Sequence, residues 1–157
     1  MNRKNGDKYL EKRQEIMEAA LDCFYKQGFV ATTIKMIATA AGMKSTALIY
    51  YYFKDKDDLY QACLTEADIP HMRELPLETE PEEFFFQIQT GFLNMINDKK
   101  IRKLLICSSS ALETRPDLMD QINEKYRQPY KKKFVKYVEY QKEKGGFRDI
   151  DAWQLYL

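Results

Sequence analysis

Apolar positions recur every three to four residues along most of the chain, the spacing of helices rather than strands. Ile16, Met17, Ala20, Cys23 and Phe24 form one stripe and predict a first helix from about Tyr9 to Gln27, stopped by Gly28. Thr32 or Thr33 then caps a short second helix whose inner face reads Ile34, Ile37, Ala38, Ala41, and Gly42 ends it. A third short helix follows from about Ser45 to Tyr51. Asp55 and Asp58 make a capping-box-like start for a fourth, which reaches Ile69 before Pro70. The stretch Pro70 to Pro81 holds three prolines and three acids and reads as a linker.

Beyond it, Glu82 to Asn97 is apolar on nearly every side (Phe84, Phe85, Phe86, Ile88, Phe92, Leu93, Met95, Ile96), so a fifth helix there is expected to be surrounded. A sixth carries Ile101, Leu104, Leu105, Ser108, Ala111 and Leu112 and stops before Pro116. A long seventh runs through Leu118, Ile122, Tyr126, Tyr130, Phe134, Tyr137, Val138 and Gln141, kinked at Pro129 and ended by Gly145-Gly146. Asp151 caps the beginning of an eighth, Ala152 to Leu157. The expected fold is therefore all-α.

Composition narrows the function. The 157 residues carry 25 basic and 24 acidic side chains, a net charge of +1, so a uniformly basic nucleic-acid binder is excluded. The charge is segregated: residues 1–60 hold 10 basic and 8 acidic groups, 61–98 hold 1 and 8, and 99–157 hold 14 and 8. A phosphate backbone would be repelled by the middle and must meet one end. The basic run Lys131, Lys132, Lys133, Lys136 lies opposite an apolar stripe and reads as a solvated helix face. No apolar run approaches the roughly 20 residues of a membrane span. Cys23, Cys63 and Cys107 are odd in number and widely spaced, which suits reduced thiols in a cytoplasm rather than disulfides or zinc. With one histidine, His71, and no G-x-S-x-G, P-loop or G-x-G-x-x-G, neither an enzyme nor a metal or other cofactor is expected.

Function is carried by the second and third helices. Two short helices joined at a glycine and braced by a longer one make a helix-turn-helix pattern. Small Ala38 and Ala41 allow a close crossing, Gly42 supplies positive φ, and Met43 with Leu48 is expected to fill the angle between the helices. Lys44, Ser45, Thr46, Ala47, Tyr50 and Tyr51 are left for the outward face of the third helix, with one cation and no acid. Such a face can hydrogen-bond base edges and phosphates, and Ala47 can pack on a thymine methyl.

The stretch Gly28-Phe29, Thr32-Thr33-Ile34, Ile37-Ala38, Ala40-Ala41-Gly42-Met43, Leu48-Ile49-Tyr50-Tyr51-Tyr52-Phe53-Lys54-Asp55-Lys56 and Leu59 resembles the DNA-binding domain of TetR/AcrR-family transcriptional regulators. The resemblance is close from about Glu11 to Glu66, with one residue more than the family pattern between Met43 and Ile49. It implies a helix-turn-helix domain at residues 9–69 (the motif about 32–52) and a helical effector and dimerisation domain at 70–157, incomplete at its C-terminus. It also implies that Thr33 and Lys56 pair with phosphates, that Lys44 to Ala47 approach bases, that Tyr50 and Tyr51 reach bases or backbone, and that Tyr52 and Phe53 pack the head.

The partners implied are double-stranded operator DNA, a second copy in a homodimer, and a small effector. Phe85, Phe92, Met95, Cys107, Ser108, Met119, Tyr126 and Tyr130 are the candidates to meet that effector, and their aromatic and thioether character favours an apolar or aromatic molecule. Repression is the family's usual mode; an activator of the same family, or a helical adaptor for protein partners, is the alternative.

Overall fold

The computed structural model describes residues 3–67, 75–111 and 115–147, with side chains from Gly6 onward; the expected eighth helix lies outside this set, as do Ile69, His71 and Leu112. Among the described residues the elements are α1 (Arg3–Ala31), α2 (Ile34–Ala40), α3 (Ala47–Tyr52), α4 (Lys56–Thr65), α5 (Pro81–Asn97), α6 (Lys99–Ala111), α7 (Pro116–Ile122), a π-helical segment (Asn123–Arg127) and α8 (Gln128–Glu143). None of these helices is long and apolar enough to cross a membrane.

The chain divides into two compact units. The first comprises residues 1–68 and 99–119, the second residues 69–98 and 120–157. This division is not a single cut at residue 70, because α6 and the start of α7 pack with the N-terminal helices.

The first unit is built around α1. Ile16, Met17, Ala20, Leu21, Cys23 and Phe24 are buried on its inner side, as their spacing predicts. The helix begins earlier than Tyr9 and breaks where expected, at Gly28, whose φ of 80° is non-helical, before one further turn to Ala31. α4 contributes Leu59, Tyr60, Ala62, Cys63 and Leu64, and α6 contributes Ile101, Leu104, Cys107 and Ala111. Polar rungs surround this core. Lys103 pairs with Asp22, and Arg13 grips the Glu66 carboxylate with both guanidinium nitrogens, Nη2 to Oε1 at 2.8 Å. Arg115 donates to Asp57 at 2.8 Å, and the Tyr60 hydroxyl donates to the buried Cys107 carbonyl at 2.7 Å. α4 ends at Thr65, short of the expected Ile69.

The second unit packs α5 on α8. Phe84 stacks on Tyr137 with ring centroids 3.4 Å apart, and Val138 completes the buried cluster. The segment expected to be a linker participates in this core: Leu75 and Leu77 pack against it. The backbone oxygen of Thr79 accepts from the Tyr137 hydroxyl and from Gln141 Nε2, and that of Leu77 accepts from the same amide. The expectation that α5 is surrounded fails. Only Phe84 is fully buried, and Phe86, Phe92 and Leu93 are more than half exposed, because α5 has one packed face and its apolar residues go all the way round.

The expected kink at Pro129 takes a specific form. Proline cannot donate to the carbonyl four residues back, and the ladder shifts ahead of it: the Gln128 N–H bonds the Asn123 carbonyl, a π-type step. α8 then ends in a Schellman arrangement, Gly146 N–H to Gln141 O and Gly145 N–H to Lys142 O.

Burial has raised several acid groups of the first unit above their ordinary ranges. The Tyr60 phenol is pushed up to about 12, the Cys107 thiol to about 11, and the Cys63 thiol is raised as well, desolvation being the main cause in each. The folded state therefore holds these protons more tightly than the unfolded chain. The stability they contribute is full below pH 9.0, the ordinary thiol value, and is lost as pH rises through about 12. The urea midpoint of the chain should hold steady up to that lower limit and then fall across the window; a midpoint independent of pH there contradicts this burial.

Candidate nucleic-acid interface

The site starts at the break in α1. After Gly28 the chain makes one more turn, leaving carbonyls without helical partners. Lys56, in the first turn of α4, closes them: its ammonium donates to the Phe29 oxygen at 2.8 Å and the Thr32 oxygen at 2.9 Å, and reaches the Val30 oxygen at 3.4 Å. It also sits 4.4 Å from the centre of the Phe29 ring. Thr32 is fully buried and donates its hydroxyl to the Gly28 oxygen at 2.7 Å. The second of the two threonines is thus the cap, and the Thr33 hydroxyl accepts from Met36 N–H at 3.2 Å.

α2 buries Ile37 and Ala38, while Ile34 and Ala41 are only half-buried. It ends in a second Schellman arrangement, with Gly42 at φ 67°, Gly42 N–H on Thr39 O and Met43 N–H on Ala38 O at 2.8 Å. The glycine at this turn is required, because a β-carbon at that φ is strained. The Ser45 hydroxyl then accepts from Ala47 N–H at 3.1 Å, and α3 begins at Ala47, two residues later than expected.

That later start changes which residues face inward. Ile49 is 0% exposed and Phe53 1%, whereas Leu48 is 41% exposed. The expectation that Leu48 fills the angle between the helices is therefore wrong. The inner pair is Ile49 with Phe53, one helical turn apart. Met43 is half-buried beside that turn. Phe53 is covered by the Arg13 guanidinium, 4.7 Å from its ring centre.

The outward face is displayed to solvent. Lys44, Ser45, Ala47, Leu48, Tyr50 and Tyr51 are exposed, Tyr51 at 70%, and Thr46 is half-buried. Thr33 is exposed at the start of α2. Lys56 differs from these, since its donors are directed at carbonyls of the same unit. Below α3, Asp55 accepts from Asp58 N–H at 2.8 Å, and the Asp58 carboxylate accepts from Lys54 N–H at 2.9 Å. The reciprocal bond thus lands one residue before the cap.

The effector candidates are not gathered in one unit. Cys107, Ser108 and Met119 belong to the first, and Phe85, Phe92, Met95, Tyr126 and Tyr130 to the second. Cys107 is buried in the first unit's core, while Phe85 is half-buried among Phe84, Phe134 and Phe147.

Residues 16–63, which run from within α1 into α4, match the sequence model of bacterial regulatory proteins of the tetR family. The match covers about a third of the chain, and it is this helix-turn-helix part that is similar to the family. It is 35% identical over 88 residues to the HTH-type transcriptional repressor AcnR of Corynebacterium efficiens, covering 56% of this chain and 44% of that one. It is 41% identical over 78 residues to the HTH-type transcriptional regulator AcrR of Shigella flexneri, covering 50% and 35%. The chain thus spans less than half the length of these curated relatives. Among solved structures, Salmonella enterica GusR superposes with a TM-score of 0.70 at 23% identity, over 92% of this chain and 76% of that one. The fatty acid degradation regulator FadR of Bacillus halodurans does so at 0.63, also at 23% identity, over 91% and 75%. At these identities the likeness concerns the fold alone. The matched model describes regulatory proteins, and both curated relatives are named as transcriptional regulators or repressors.

Leu48, missed as an outward residue, left one signal in the sequence: the Ile49–Phe53 spacing, which makes a better inner pair than Met43–Leu48. Replacing Lys56 by Met should leave the Phe29 and Thr32 oxygens without their donor and destabilise the first unit by about 1–3 kcal/mol. Chemical denaturation of the full chain reads this directly; an unchanged midpoint would mean that water replaces the ammonium without loss.

Proposed function

We propose that the chain is a DNA-binding transcriptional regulator, a repressor released from its operator by a small apolar or aromatic effector. The observation that carries the reading is the solvent-facing side of α3, where hydroxyls, one cation and small apolar groups stand together without an acid from Lys44 to Tyr52. A helix of this kind reads a major groove through base edges while flanking groups hold phosphates. Lys44, Ser45, Thr46 and Ala47 approach the bases, joined by Leu48, whose exposed side chain suits a thymine methyl. Tyr50 and Tyr51 reach bases or backbone, and Thr33 takes a phosphate with its hydroxyl. Lys56 acts mainly by fixing α2 at its correct angle, adding a phosphate contact only by giving up a carbonyl.

Repression is supported by the relative named as a transcriptional repressor, AcnR. The chain acts as a homodimer, its two heads matched to half-sites about 34–36 Å apart. The effector meets Phe85, Phe92, Met95, Tyr126 and Tyr130, with Cys107, Ser108 and Met119 responding in the first unit. A coupling of ~1–3 kcal/mol between effector and DNA is enough to change operator occupancy several-fold to a hundred-fold.

A mobility-shift assay with the DNA upstream of the protein's own gene tests this. Lys44→Ala and Tyr50→Ala should each weaken binding by roughly 1–3 kcal/mol. Unchanged affinity in both would show that another face reads the duplex, and no binding at low salt by the full-length dimer would refute the regulator reading.

A further inference from the structure

The C-terminal end of α3 is held by a residue far outside the helix-turn-helix. Tyr9, near the start of α1, lies against Tyr52 with ring centroids 4.7 Å apart, and meets Tyr51 edge-on at 6.1 Å. Tyr51 and Tyr52 themselves make an edge contact at 5.0 Å. Three aromatic rings thus tie the first turns of α1 to the end of the helix that would read the groove. Edge and tilted pairs of this kind contribute beyond their burial and fix relative orientation.

This placement gives the neighbouring lysines a role. Lys8 and Lys12 are four residues apart, so they share one side of α1, immediately beside Tyr9. Lys8 is exposed, and Lys12 pairs with Glu15. The exposed acids Asp7 and Glu11 fall, by the same helical spacing, on the side of α1 turned away from Tyr9. Lys8 lies on the flank of α1 between Tyr9 and Glu11, and its ammonium is exposed there.

We propose that the first turns of α1 are a second duplex-contacting element, in which Lys8 pairs with a backbone phosphate bordering the groove and Tyr9 is the positioning residue that holds it there. The proposal rests on the reading that α3 enters the major groove. A helix seated there has its ends close to the two strands that border the groove, so an element bound to its final turn by ring contacts runs next to a phosphate row. Lys8 reads charge and not sequence.

The test is fluorescence anisotropy of the full chain on a short random-sequence duplex over a range of salt concentrations. Lys8→Gln should lower the slope of log affinity against log salt by about 0.9 for each protomer bound, about 1.8 for a dimer, and weaken all sequences alike. Because Lys8 is exposed, its unfolding midpoint should stay at the wild-type value, and Lys8→Arg should keep the full slope. Tyr9→Ala should lose the same slope increment, while Tyr9→Phe, which keeps the ring, retains it. If wild type binds and both Lys8→Gln and Tyr9→Ala keep its slope, the second element is refuted while the α3 reading stands. If wild type does not bind any duplex, the α3 reading falls and this proposal with it.

Discussion

A six-residue helix has too few internal hydrogen bonds to persist in water by itself. α3 exists because Ile49 and Phe53 are driven into the core of the first unit, and the rest of the site follows from that anchorage. With only two residues turned inward, almost every other side chain of α3 must face solvent, whatever its polarity. Leu48 and Tyr51 are exposed for this reason, and an apolar and a phenolic group on one small surface suit the mixed edge of a base pair better than they suit water. The Arg13 guanidinium over Phe53 extends the anchorage, and the same guanidinium holds Glu66 at the end of α4.

The supports of α3 are set by interactions distant in sequence. Lys56 takes the free carbonyls at the end of α1 and fixes where α2 begins. Tyr60 donates to the Cys107 carbonyl, and Arg115 holds Asp57, so α4 is tied to α6 and to the start of α7 at several points. A displacement of α6 within this unit would therefore be felt by α4, and through Lys56 by the α1–α2 junction. The coupling uses directional hydrogen bonds, which break or hold rather than stretch.

Much of this was legible in the sequence. The helical period, Gly28 and Gly42 as interruptions, a threonine cap on α2, and an exposed face from Lys44 to Tyr51 all depend on local spacing, and local spacing is what a single sequence reports. The register of α3 was harder, because the residues after Gly42 can belong to the turn or to the helix, and only the burial of Ile49 distinguishes them. The π-helical form of the Pro129 irregularity depends on how the ladder relaxes, which proline alone does not dictate. Beyond periodicity, the sequence was silent on pairing. Nothing local says that Tyr9 meets Tyr52, or that Lys56 spends its charge on backbone oxygens instead of keeping it for phosphate. The apolar excess of α5 was visible, but Phe86, Phe92 and Leu93 show that an all-round apolar helix can still be covered on one face only within a single chain.

The central claim is that the α3 surface, and not the basic run on α8, meets the duplex. Amide chemical-shift mapping of the isotopically labelled chain, titrated with duplex DNA at moderate salt, separates the two. The account predicts the largest shifts at Lys44 to Tyr51, with Thr33 beside them and little change near Lys132, Lys133 and Lys136. Shifts concentrated on those three lysines, with the amides of α3 unmoved, would contradict it.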